Sequence, residues 1–103
     1  MSKEGKQEHL LKVIAHVFKF HDIRGMRAVE GYWSEDLNTM HLNFYHNGPL
    51  DDYLRDSFND LGGEILCQYH SEMLYDQPIR VDYERALPSS DCMVFPQQKR
   101  GSN

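Results

Sequence analysis

Glu30, Tyr32 and His41 are the residues of this chain whose types suit proton chemistry. They fall on two segments of alternating character. If those segments pair, a carboxylate, a phenol and an imidazole share one face. A Glu beside a His can serve general acid–base catalysis, and His70 is a further candidate for such a site. Other chemistries find less support. The pairs His16/His21 and His41/His46 are each five apart, not the i, i+4 pair of a helical zinc motif, and in a strand His41 and His46 point to opposite faces. Cys67 and Cys92 are isolated rather than in CxxC spacing, so neither a metal site nor a cofactor is expected. Ser34, Ser57 and Ser71 lack a GxSxG context, and Gly62-Gly63 is not set in a strand–turn–helix phosphate loop. No catalytic residue is assigned.

A second group could do binding rather than chemistry. Asp52, Asp56 and Asp60 recur every four residues, with Tyr53 beside them and Glu64 one turn further on. On a helix, like charges at i, i+4 cost roughly 0.2–0.5 kcal/mol per pair. The segment from Glu30 to Asp91 holds thirteen acidic residues against Arg55, Arg80 and Arg85, a charge of about −10 within a chain of −5, and no lysine stands between Lys19 and Lys99. Such a surface attracts basic partners and repels nucleic acid and anionic membrane. The basic residues of the first third (Lys3, Lys6, Lys12, Lys19, Arg24, Arg27) are scattered.

Regular elements must position both groups. Leu10, Ile14, Val17, Phe18 and His21 form a helical stripe, predicting a helix over 8–21. Residues 26–34 and 39–46 read as a β-hairpin closed by Glu35-Asp36-Leu37-Asn38. That loop sets Trp33 opposite Met40, Gly31 opposite Leu42 and Val29 opposite Phe44, an apolar face. Tyr32 then lies opposite His41, Glu30 opposite Asn43 and Ala28 opposite Tyr45 on the other face. Asn47-Gly48-Pro49 should open a second helix, with Asn47 or Gly48 as cap and Pro49 at its first position. Leu50, Leu54, Phe58 and Leu61 are its buried stripe, and Gly62-Gly63 its terminator. Alternation predicts strands over 64–72 and 78–85, with a turn at Asp76-Gln77-Pro78. The result is a two-layer α+β domain of order α-β-β-α-β-β, an antiparallel sheet with both helices on one face.

The 103 residues suit a single core, read as a flexible segment 1–7, a domain over 8–86 and an irregular tail over 87–103. Met93, Val94 and Phe95 are candidates for docking on the body. Two cysteines are no disulfide framework. Lys12, His16 and Lys19 interrupt the apolar run from Leu10 to Phe20, so neither a secretory h-region nor a membrane span is expected, and a cytoplasmic location follows.

In length, in its −10 segment, in the Asp52/Asp56/Asp60 face and in interface-type aromatics such as Tyr32, Tyr45, Tyr53 and Tyr75, the chain resembles the small cytoplasmic immunity proteins that bacteria pair with nuclease toxins. That resemblance implies a non-enzymatic acidic protein that occludes the basic cleft of a toxin domain without touching nucleic acid or membrane. Asp52, Asp56, Asp60, Tyr53 and Glu64 would form the binding face, with Glu30, Tyr32 and His41 as a second patch. Two other readings are a small α+β enzyme or ligand-binding domain using the Glu30/Tyr32/His41 face, and a dimerisation or adaptor module pairing through an exposed edge such as residues 78–85.

Overall fold

In the computed structural model, which describes residues 3–69 and 73–96, strands β1 (Met26–Trp33) and β2 (Thr39–His46) form the hairpin that the alternation predicts. Every expected pair is present: Trp33 with Met40, Tyr32 with His41, Gly31 with Leu42, Glu30 with Asn43, Val29 with Phe44 and Ala28 with Tyr45. Ser34 N–H donates to the Thr39 carbonyl at 2.9 Å to close the loop. One irregularity was not legible. The register shifts between Met26 and Ala28, so that Met26 meets His46. A bulge inserts one residue and re-aims its neighbours. Met26 therefore joins the core with Val29 and Phe44 instead of following Ala28 outward.

Helix α1 (Lys3–Phe18) lies on the apolar face of the hairpin, burying Leu10, Ile14, Val17 and Phe18. It begins before the expected residue 8 because its first turns are held by tertiary bonds. Gln7 Nε2 donates to the Gly31 carbonyl at 2.8 Å, Trp33 Nε1 donates to the Lys6 carbonyl at 3.2 Å, and the Lys6 ammonium sits 4.1 Å above the Trp33 ring. It ends before His21, where Lys19, Phe20 and His21 turn back on the carbonyls of His16, Val17 and Phe18. Contact with β1 is closest at Gly31, where a Cβ would stand 2.5 Å from Ile14 Cδ1 and 3.3 Å from Leu10 Cδ2.

Helix α2 (Asp52–Leu66) departs from expectation at both ends. Asp51, not Asn47 or Gly48, is the cap. Its side chain accepts from Leu54 N–H at 2.9 Å, so Pro49 lies outside the helix. Asn47 and Gly48 are engaged elsewhere: Asn47 Oδ1 accepts from Tyr83 N–H, and Gly48 N–H donates to Asp82. Nor does the helix stop at Gly62-Gly63. Ile65 continues the buried stripe of Leu54, Phe58 and Leu61 and carries the helix to Leu66, so residues 64–66 are helical rather than extended. The rest of the expected strand is a turn over 67–69, and residues 70–72 lie outside the described residues. Gly62 serves close approach: a Cβ there would lie 3.2 Å from Asp76 Oδ2 and 3.5 Å from Leu74 Cδ2.

Strand β3 (Met73–Arg80) replaces the strand expected over 78–85, and the supposed turn Asp76-Gln77-Pro78 lies inside it. It runs parallel to β2, with Thr39 beside Met73 and His46 beside Arg80. A helix between consecutive strands returns the chain to the end from which it started, which makes neighbours parallel. The sheet is thus mixed, not antiparallel throughout. Its order is β3-β2-β1-β4, where β4 (Met93–Val94) pairs antiparallel with β1. Pro78 is tolerated because β3 is an edge. Met73 N–H donates to the Asn38 carbonyl and Val81 N–H to the His46 carbonyl, so odd-numbered residues face β2 and Pro78, being even, lacks a donor only on the open side.

Between β3 and β4 the chain must pass from one sheet edge to the other. Arg27, the bulge residue, anchors this strap: its Nη1 donates to the carbonyls of Val81, Asp82 and Arg85 at 3.1, 3.0 and 2.7 Å. Among the described residues no helix is long and apolar enough to cross a membrane.

The two glycines with opposite surroundings give a stability test. Gly63 is exposed, and a methyl added there would meet nothing within 4 Å, so Gly63→Ala should stabilise the fold by about 0.5–1 kcal/mol through helix propensity. Gly31→Ala drives a methyl into Ile14 and should destabilise by about 1–3 kcal/mol. Urea unfolding of both variants checks the pair of signs.

Candidate partner-binding surfaces

Two surfaces hold the residues singled out by sequence, and they lie on opposite sides of the domain. The first is the outward side of α2. Asp52, Asp56 and Asp60 are exposed there, spread over about 12 Å at 1.5 Å per residue. Arg55 Nη1 approaches Asp52 at 3.6 Å. Among the described residues Asp56 and Asp60 have no ion-pair partner. Tyr53 is 40% exposed, and its hydroxyl accepts from Arg24 N–H at 2.9 Å while the Arg24 guanidinium lies 5.2 Å from its ring centroid. Its orientation is therefore set before any partner arrives. Glu64 differs from the other acids, since its carboxylate pairs with the His21 ring and ties α2 to the end of α1.

The second surface is the sheet face opposite the helices, and it splits in two. In one half Glu30 is the centre of a covered network. Its Oε1 accepts from Asn43 Nδ2 and from the Tyr45 hydroxyl, each at 2.9 Å, and Gln77 Nε2 donates to Asn43 Oδ1 at 2.9 Å. Burial pushes the Glu30 carboxyl up, but hydrogen bonds from Asn43, Ser90 and Tyr45 outweigh it and hold the group below its ordinary range. Tyr45 is 5% exposed; burial, then its bond to Glu30, push its phenol up to about 12. Burial and the Glu30 charge also push the Cys92 thiol up. Ser90 belongs to the strap, so Glu30 fastens the strap to the sheet.

In the other half Tyr32 and His41 stack with ring centroids 4.9 Å apart and planes 5° from parallel, and Tyr75 meets the edge of His41 at 5.6 Å. This row crosses three strands. Tyr32 and Tyr75 are 36% and 57% exposed. The expected proximity of Tyr32 and His41 is thus real, while Glu30 Oε1 accepts from Asn43 and Tyr45. Nor do two clefts among the described residues join the three. A cleft of about 790 Å³ is lined by Arg24, Arg27, Tyr83 and Phe95 among others, and one of about 620 Å³ by Tyr32 but neither Glu30 nor His41.

Sequence reasoning missed Gln77, Ser90 and Arg27. Gln77 stood in a supposed turn and Ser90 in a supposed tail; no local signal marks either. Arg27 reads in the sequence as one scattered cation, and only the bulge explains its reach. Tyr45, read as an interface aromatic, is instead covered. Among the described residues no group of three or more potential ligands is placed to hold a metal ion. No protein-family model, curated protein or solved structure matches the chain.

The covered network titrates in a characteristic way. A raised phenol favours the neutral form in the folded state, so its contribution is complete below the ordinary tyrosine value near 10 and is lost as pH rises toward about 12. Alkaline difference absorbance should show one tyrosine ionising last, and Tyr45→Phe should remove that step. Glu30→Ala leaves the Asn43 amide and Tyr45 hydroxyl unpaired and should cost about 1–3 kcal/mol in denaturant unfolding.

Proposed function

We propose that the chain is a non-enzymatic acidic binding protein that neutralises a basic protein, and specifically an immunity protein that occludes the active cleft of a nuclease-type toxin in the bacterial cytoplasm. The observation that carries this reading is the uncompensated charge on α2. Two of the three arginines of the acidic segment are engaged, Arg55 with Asp52 and Arg80 with Asp82 at 2.9 Å. Asp56 and Asp60 remain outward and unpaired among the described residues. An enzyme that cuts nucleic acid must present a basic cleft, and a field of opposite sign raises encounter rates by roughly 10- to 1,000-fold. Tyr53 supports the same face, since an aromatic ring already fixed by its hydroxyl loses little freedom when it becomes an anchor. Asp52 and Tyr53 with Asp56 and Asp60 form the core of this surface, and Glu64 its His21-paired margin.

The partner to assay first is the product of the reading frame adjacent to the chain's own gene. Against a basic nuclease domain, the double variant Asp56→Lys/Asp60→Lys should associate at least about tenfold more slowly at low salt and with a flatter salt dependence. Equal rates for variant and parent in stopped-flow mixing would remove α2 from the interface, and absence of nuclease inhibition by the parent would remove the function.

A further inference from the structure

The cleft of about 790 Å³ at the start of β1 carries a charge opposite to that of the chain around it. Arg24 and Arg27 line it, and among the described residues Asp22 is the one acid that joins them. Two guanidiniums against one carboxylate leave an excess of one positive charge, within a chain of −5. The turn leading into β1 builds this lining. Met26 N–H donates to the Ile23 carbonyl at 3.3 Å, and Asn47 N–H donates to the Gly25 carbonyl at 2.7 Å. Gly25 takes a φ of 88°, which a residue without Cβ adopts freely. The backbone carrying Arg24 and Arg27 is therefore set by the fold itself.

Both arginines keep donors in reserve. Arg27 uses Nη1 on the strap carbonyls of Val81, Asp82 and Arg85, and among the described residues its Nε and Nη2 have no acceptor. Neither is sealed from solvent, since the one enclosed side-chain polar atom without a partner among those residues is His46 Nδ1. Nε–H and Nη2–H are the edge of a guanidinium that grips a carboxylate with two parallel bonds. The strap holds the other edge, so this fork is pre-organised. The Arg24 guanidinium lies on the Tyr53 ring and has no hydrogen bond or ion pair among the described residues.

Aromatic walls accompany the charge. Tyr83 and Phe95 line the same cleft and are 63% and 61% exposed. Tyr83 is held by its N–H to Asn47 Oδ1 and by the Arg27 guanidinium 5.5 Å from its ring centroid, and Phe95 directly follows β4. Leu87 adds apolar surface from the strap. Clefts of roughly 300–1,000 Å³ with apolar walls and a few placed polar groups are the usual sites for small molecules.

We propose that this cleft binds a small aromatic monocarboxylate, with its carboxylate on the free fork of Arg27 beside Arg24 and its ring against Tyr83 and Phe95. Charge selects the head group. One excess positive charge matches one negative charge, and the acidic chain around the cleft repels a polyanion. The site is separate from the aspartates of α2 and does not rest on the toxin-binding reading.

The purified full chain is titrated with naphthoate, with its neutral analogue naphthamide and with naphthyl phosphate, each to about 5 mM, and followed by the amide resonances in two-dimensional NMR. Naphthoate should shift the resonances of Gly25, Arg27 and Tyr83 saturably and bind at least about tenfold more tightly than naphthamide. Arg24→Glu leaves the strap bonds of Arg27 in place but reverses the charge of the lining, and should weaken naphthoate binding by about tenfold or more. Arg27→Lys keeps the charge and loses the fork, and should weaken it similarly; urea unfolding of that variant shows whether the strap is retained. Equal affinity for naphthoate and naphthamide, tighter binding of naphthyl phosphate than of naphthoate, or an Arg24→Glu chain that binds naphthoate as the parent does, overturns the proposal.

Discussion

The pairing of Trp33 with Met40, continued to Ala28 with Tyr45, is the constraint on which the rest of this molecule depends. Because side chains alternate along a strand, one register assigns every residue of the hairpin to a face. Val29, Gly31, Trp33, Met40, Leu42 and Phe44 receive the helices. Glu30, Tyr32, His41, Asn43 and Tyr45 receive whatever covers the other side. A slip of one residue would put Glu30 into the helix layer and Trp33 into water. Gly31 refines the assignment: by lacking a side chain where α1 passes, it lets Leu10 and Ile14 reach the strand.

Two surfaces of different physics follow. The far side of α2 acts at a distance, through charge held on short aspartates that stand opposite the helix's buried stripe. The row on the sheet acts at contact, through aromatic area with polar tips. A partner that grips one leaves the other free, because the sheet and the helix layer stand between them. The two surfaces share no residue.

The hairpin was legible because alternation is a local signal and both of its strands agree on one buried face. The buried stripe of α2 was legible for the same reason. What failed was punctuation. Asn47, Gly48 and Pro49 look like a helix start, yet Asn47 and Gly48 spend their polar groups on Tyr83 and Asp82, some thirty-five positions away. Gly62-Gly63 looks like a helix end, yet Gly62 is where α2 touches Phe44, Leu74 and Asp76. Pro78 looks like a turn, yet on an edge its missing donor faces outward. Each residue type had two uses, and only distant neighbours decide between them. Of the candidate site, the exposed Asp52/Asp56/Asp60 stripe and the Tyr32–His41 contact could be read; the covering of Glu30 could not, because it is made by a segment that shows no regular pattern.

That covering segment has a consequence for how the protein is made. Arg27 and Glu30 are held by a stretch of chain synthesised between 54 and 60 residues after them. Until residues 81–90 are made, Arg27 and Glu30 lack the strap partners they hold in the finished fold. At typical elongation rates of about 5–20 residues per second the interval lasts on the order of a second. For that time the Arg27 guanidinium, later shared among three carbonyls of the strap, stands at the bulge without them.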